Sequence, residues 1–206
     1  MFRTLCAAPY RKFGVLSLIA LFAIAIPNGA ARAQDVAQKA QICAGCHGEK
    51  GVPVDTNTPV IWGQQAGYLY LQLRDFKSGA RKSELMLPVA QTISRDDMMA
   101  LATLFSQKQW PDLGQPASPH DVVVEAARAN QSIGCTGCHQ GEYQGDSTQP
   151  RLAGQRREYL ERTMLDFRTG ARGNNPGMSD LMKAASEGDL AAMAQYLAGL
   201  QLTPGQ

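Results

Sequence analysis

Along the 206-residue chain, apolar residues recur at helical spacing in two separate stretches and almost nowhere alternate with polar ones. Leu69, Leu73 and Phe76 stand at i, i+4 and i+7, which puts all three on one face and predicts a helix over about 64–77. Leu160, Met164 and Phe167 repeat the interval 91 residues later. A further helix is predicted from Ser94, where Ser94 and Asp97 form a capping pair ahead of Met98, Leu101, Leu104 and Phe105. Ser186 and Asp189 repeat that cap before Leu190, Met193, Tyr196 and Leu197. Residues 35–43 read as a short helix. Residues 119–134 read as its longer counterpart, with Ser118 as N-cap and Pro119 in the first turn. No segment alternates well enough for a strand, so the expected fold is all-α, with three helices in each half.

The pattern is an internal repeat. At an offset of 92, Cys43, Cys46 and His47 align with Cys135, Cys138 and His139. Gly63-Gln64, Tyr68-Leu69 and the run Asp75 to Arg81 align at 91 with Gly154-Gln155, Tyr159-Leu160 and Asp166 to Arg172. Met86 and Ser94 then return to 92, against Met178 and Ser186. Similarity of this length and order implies a duplicated domain of about 80 residues, a size at which a protein core alone is marginal. Between the copies, residues 110–119 are dense in Pro and Gly and read as a linker.

One apolar stretch stands outside the repeat. Val15 to Ile26 follows Arg3, Arg11 and Lys12 and leads to Ala31-Arg32-Ala33, the layout of a secretory signal peptide with an AxA-type cleavage site. Its 12 residues fall short of the roughly 20 that span a bilayer. No Arg-Arg pair precedes it, which favours general secretory export over the twin-Arg route. The expected organisation is therefore a signal peptide over 1–33, a first domain over 34–109, the linker, and a second domain over 120–206, in a periplasmic protein. Removing the leader takes four basic residues and no acidic ones from 20 and 18, leaving 16 and 18, a net charge of −2. That balance argues against a polyanion such as nucleic acid as partner. Cys6 leaves too, and the other four cysteines all lie in the aligned motifs, so none remains for a structural disulfide.

Those motifs, Cys43-Ala44-Gly45-Cys46-His47 and Cys135-Thr136-Gly137-Cys138-His139, are CxxCH, the attachment signature of haem c. Each thiol adds across one porphyrin vinyl group while the adjoining histidine is carried to the iron. Two copies imply two covalent haems. A zinc site is disfavoured because each CxxC carries its own histidine and its own domain. A redox dithiol lacks its strand-helix context. The sixth iron position calls for a second donor. Met86 and Met178 each lie 39 residues after their histidine, between the second and third helices of their halves, in loops containing Pro or Gly. A thioether ligand raises the potential of a cytochrome c and closes the iron to small molecules, which favours electron transfer over catalysis. Met182, four residues beyond Met178, is a competitor that the repeat disfavours. Met98, Met99, Met164 and Met193 fall on helices and are assigned to packing. His120 is expected at the surface, and Arg81 and Lys82 on a solvated charged face.

CAGCHGEKG and CTGCHQGEYQG at the haem sites, then GQQAGYLYLQLRDFKSGAR and GQRREYLERTMLDFRTGAR, then the methionine loops and the C-terminal helices, together resemble the cytochrome c4 family over both halves. These are soluble or membrane-associated periplasmic dihaem proteins built from two class I cytochrome c domains. The resemblance implies thioether attachment at Cys43, Cys46, Cys135 and Cys138, proximal ligands His47 and His139, and distal ligands Met86 and Met178. It further implies that Pro59 and Pro150, 12 and 11 residues after the histidines, offer their carbonyls to the imidazole N–H groups. Trp62 departs from the Leu-Ala-Gly ending seen at Leu152-Ala153-Gly154, so the two haem surroundings are expected to differ. In function, the resemblance implies a non-enzymatic carrier of single electrons between a donor such as a quinol-cytochrome c oxidoreductase and an acceptor such as a terminal oxidase. Peripheral membrane association is compatible with it. The alternative is the haem subunit of a dehydrogenase with a flavoprotein partner, as in flavocytochrome c sulfide dehydrogenase. A haem peroxidase is disfavoured by a methionine in each half and by the short chain.

Overall fold

The computed structural model describes residues 28–201 and is helical throughout, with one isolated bridge between Asp146 and Gln149. The basic flank and apolar run of the leader lie outside the described residues. The first half holds α1 (Asn28–His47), α2 (Ala66–Ser78), α3 (Met86–Gln91) and α4 (Arg95–Ser106). The second holds α5 (His120–Ile133), α6 (Thr136–His139), α7 (Arg157–Thr169), α8 (Pro176–Ala184) and α9 (Glu187–Gly199).

The expected stripes face inward. Leu69 and Phe76 of α2 are buried, and Leu69 packs with Val36, Ile93, Met98, Leu101 and Phe105 in one core. Leu160 joins Ala126, Ala129, Met193 and Leu197 in the second core, while Phe167 packs with Met182 and Leu190 beside it. Both serine caps form as the sequence indicates. The Ser94 hydroxyl accepts from the Asp97 amide, and Ser186 and Asp189 close a reciprocal capping box.

Four local expectations need correction. The first helix runs from Asn28 straight through the motif to His47, whereas its counterpart stops at Gly134, whose φ of 80° ends α5 before the separate turn α6. Ile42 stands at the aligned position in the first half, and without a glycine there the helix continues. The methionine segments are short helices rather than loops. Pro176 sits at the first position of α8, where a missing N–H costs nothing. The helix expected from residue 64 begins at Ala66, which frees Gln64 and Gln65 to bond elsewhere. Ser118 is not the cap of α5; Pro119 is, and the Ser118 hydroxyl donates to the Gln195 carbonyl at 3.0 Å.

That bond is one of several strapping residues 110–119 onto the second half. Gln115 Nε2 donates to the carbonyls of Gln155 and Ala198 at 3.0 and 3.1 Å, and the Arg151 guanidinium stacks on Trp110 at 4.4 Å. A side chain at Gly199 would meet the Pro116 carbonyl at 2.8 Å, so glycine permits this close approach. Residues 110–119 are thereby held against the second half.

Candidate haem sites and the interface between them

α1 delivers the first CxxCH on its last turn, and α6 delivers the second. In both motifs the leading cysteine is half-buried, the second exposed and the histidine buried. Burial pushes the Cys43 and Cys135 thiols up, so neither is an activated thiolate of the kind a redox dithiol needs. Among the described residues no group of three or more His, Cys, Asp or Glu side chains could hold a metal ion.

The histidines are held alike. His47 Nδ1 lies 2.8 Å from the Pro59 carbonyl, and His139 Nδ1 lies 2.9 Å from the Pro150 carbonyl. A carbonyl can only accept, so Nδ1 carries the proton and Nε2 keeps its lone pair. Burial lowers both imidazole pKa values, an effect the carbonyl bonds only partly offset, and the rings are therefore neutral. A buried neutral imidazole with its far nitrogen free to donate suits an iron ligand.

Met86 opens α3 and Met178 lies in the first turn of α8, both half-buried. The Met86 amide donates to Ser83 Oγ and the Met178 amide to Asn175 Oδ1, each at 3.1 Å. The two methionines are thus fixed by the same device, a side-chain acceptor three residues upstream. Met182 instead sits in the core with 2% exposure, packed with Phe167 and Leu190. Trp62 packs at the edge of the first core, with the Lys108 ammonium 5.4 Å from its ring. Its counterpart Ala153 is wholly buried, so the two sites do differ in their surroundings. His120 is exposed.

Arg81 departs from expectation, since it turns into the contact between the halves rather than into solvent. Its guanidinium donates to Tyr159 Oη at 3.1 Å and Gln72 Oε1 at 2.9 Å, and stacks on Phe76 at 4.5 Å. Arg172, the aligned residue, donates to Tyr68 Oη at 3.4 Å and Gln72 Oε1 at 2.8 Å, and stacks on Phe167 at 4.3 Å. Each arginine therefore rests on its own half and reaches for the other's tyrosine, an approximate two-fold arrangement. Among the described residues neither is ion-paired with a carboxylate. Burial pushes the Tyr159 hydroxyl up, but the Arg81 and Arg172 charges outweigh it and draw it down to about 7.

Gln64 and Gln155 repeat the crossed pattern. Gln155 Oε1 accepts from the Val60 amide at 2.8 Å and Gln155 Nε2 donates to the Val60 carbonyl at 3.0 Å. Gln64 makes the same two bonds to Arg151, at 2.8 and 3.0 Å. The repeat aligns these glutamines, tyrosines and arginines, but only Arg81 carries an expectation from the sequence, a solvated face, which its contacts overturn. Their signal was retention of polar residues at one offset in both halves, beside core positions that changed.

Comparison with known proteins agrees with this arrangement. The family model "Cytochrome c" matches residues 125–201. The chain is 34% identical to cytochrome c4 of Azotobacter vinelandii over 184 residues, covering 79% of this chain and 86% of that one. It is 31% identical to a thiosulfate dehydrogenase electron acceptor of Stutzerimonas stutzeri, covering 78% and 80%. The solved cytochrome c4 of Acidithiobacillus ferrooxidans superposes with a TM-score of 0.71 at 29% identity, covering 78% of this chain and 99% of that one. With two CxxCH motifs in two tandem class I cytochrome c domains, this electron-transfer protein carries two covalent haem c groups and belongs to the cytochrome c4 family.

Proposed function

We propose that the protein is a periplasmic carrier of single electrons between a respiratory donor, such as a quinol-cytochrome c oxidoreductase, and an acceptor such as a terminal oxidase. The observation that carries this reading is the duplicated ligand frame. In each half a neutral histidine is bonded to a proline carbonyl, and a methionine 39 residues on has its amide bonded to a side-chain acceptor. Cys43, Cys46, Cys135 and Cys138 hold the two porphyrins by thioether bonds, His47 and Met86 ligate the first iron, and His139 and Met178 ligate the second. When bound, each haem supplies a reversible one-electron couple. Pro59 and Pro150 orient the histidines and strengthen them as donors. Met86 and Met178 would supply thioether donors to the irons, which raise the potential of a cytochrome c. The domains run over 34–109 and 120–206, joined by 110–119, after export with a signal peptide over 1–33. Among the described residues no helix is long and apolar enough to cross a membrane.

A second reading has a specific observation behind it: relatives from Stutzerimonas stutzeri and Thiomonas intermedia, 31% and 29% identical, are named thiosulfate dehydrogenase electron acceptors. On that reading the chain is the electron outlet of a dehydrogenase whose substrate site lies on another chain. Purification of the native protein from its host separates the two. The carrier reading expects a free protein that is reduced by the quinol complex and oxidised by membranes. A stably co-purifying dehydrogenase that reduces it, with no turnover by the quinol complex, contradicts that reading and favours the second.

A further inference from the structure

The bonds made by Gln64 and Gln155 fall on particular peptide units. The Val60 N–H that donates to Gln155 Oε1 belongs to the same amide as the Pro59 carbonyl that accepts from His47. The Arg151 N–H that donates to Gln64 Oε1 likewise belongs to the amide of the Pro150 carbonyl that accepts from His139. An amide whose N–H is bonded has a more negative oxygen, so hydrogen bonds in such a chain strengthen one another. The chain here runs from a glutamine of one half, through one peptide unit, to the axial histidine of the other.

Three bonds hold each glutamine in this orientation. Both are buried, at 3% and 2% exposure. Each Oε1 also accepts from the next residue's own amide, Gln65 or Arg156, at 2.9 Å, which fixes the carboxamide with oxygen toward the opposite N–H. Each Nε2 is spent on the opposite Val60 or Arg151 carbonyl. A misoriented carboxamide would set donor against donor, so the observed orientation is the one that polarises the proline carbonyl.

We propose that Gln64 and Gln155 are positioning residues for the iron site of the opposite half: Gln155 tunes the His47 site and Gln64 tunes the His139 site. This rests on the ligand assignment given above. A better-bonded Nδ1–H makes the imidazole a stronger donor and favours ferric iron. Losing the glutamine acceptor should therefore raise the potential of the haem across the interface. The two iron sites are then tied by neutral amides, and the tie is crossed.

The test uses the holoprotein with both haems resolved by NMR and potentiometric titration. Gln155→Met should raise the midpoint of the Cys43–His47 haem and leave the other unchanged, and Gln64→Met should do the reverse. Gln155→Glu, protonated at this buried position, keeps an oxygen facing the Val60 N–H and an O–H to donate to the Val60 carbonyl, and should return the first midpoint toward the wild-type value. A simple structural role would not produce this crossing or this rescue. A shift confined to the variant's own half, parallel shifts of both haems, or no shift with both methionine–iron bands intact overturns the proposal while leaving the ligands standing. Absence of those bands in the wild-type protein would instead remove the ligand assignment, and this proposal with it. Where one Met variant fails to assemble, the mirrored variant carries the same decision.

Discussion

Met178 and Met182 lie one helical turn apart on α8 and do different work. Met182 fills the core between Phe167 and Leu190, so Met182→Ala should leave a cavity costing about 2–5 kcal/mol while the methionine–iron band of its haem survives. Met178→Ala should remove that band and lower one potential with little loss of thermal stability. The opposite pairing of effects, read from the visible spectrum and a melting curve, would reassign the ligand. Tyr159 carries a second prediction. Its hydroxyl is drawn from 10.0 down to about 7, so ionised Tyr159 contributes stability that is complete above pH 10 and is lost as pH falls through about 7. Between those limits the contact between the halves should tighten as pH rises. Tyrosine-selective 13C NMR should show Tyr159 ionising through about 7, its signal absent from Tyr159→Phe; a Tyr159 that stays protonated up to 10 would refute this.

Among the elements, the caps and stripes were legible because they are local. Ser186→Ala should cost about 1 kcal/mol in thermal unfolding, since it removes the acceptor for the Asp189 amide. Gly134→Ala meets no neighbour within 4 Å yet sits at a φ of 80°, so its cost is backbone strain alone, about 1–2 kcal/mol. Leu69, Leu73 and Phe76 announced α2 because periodicity survives in any helix buried on one face. α3 and α8 were hidden because Pro88 and Pro176-Gly177 look like breakers, although proline is tolerated in a first turn. Ser118 was mistaken for a cap because nothing near it in sequence reveals its bond to Gln195, 77 positions away. The CxxCH motifs and the histidine-proline spacing could be read directly, since covalent attachment and a fixed carbonyl partner demand set residue types at set intervals.

At the scale of the whole molecule, the sequence announced two domains but was silent on how they meet. Arg81 looked like a surface charge until its partners Gln72 and Tyr159 were brought to it, the latter from the other half. Such contacts span 78 to 104 residues and leave no local pattern. Duplication explains their form, because two copies related by an approximate two-fold axis present the same residues to each other, and each arginine, tyrosine and glutamine acquires a crossed partner. The result is two halves joined by crossed bonds, with residues 110–119 bonded down along the second. A carrier that holds two one-electron centres in fixed relation has this construction as its requirement. The most direct measurement is a spectroelectrochemical titration of the holoprotein that follows the methionine–ferric-iron band. Two one-electron steps per chain are predicted, with the band halved in Met86→Ala, halved in Met178→Ala and abolished in the double variant. One haem per chain, or an undiminished band in either single variant, would contradict the account.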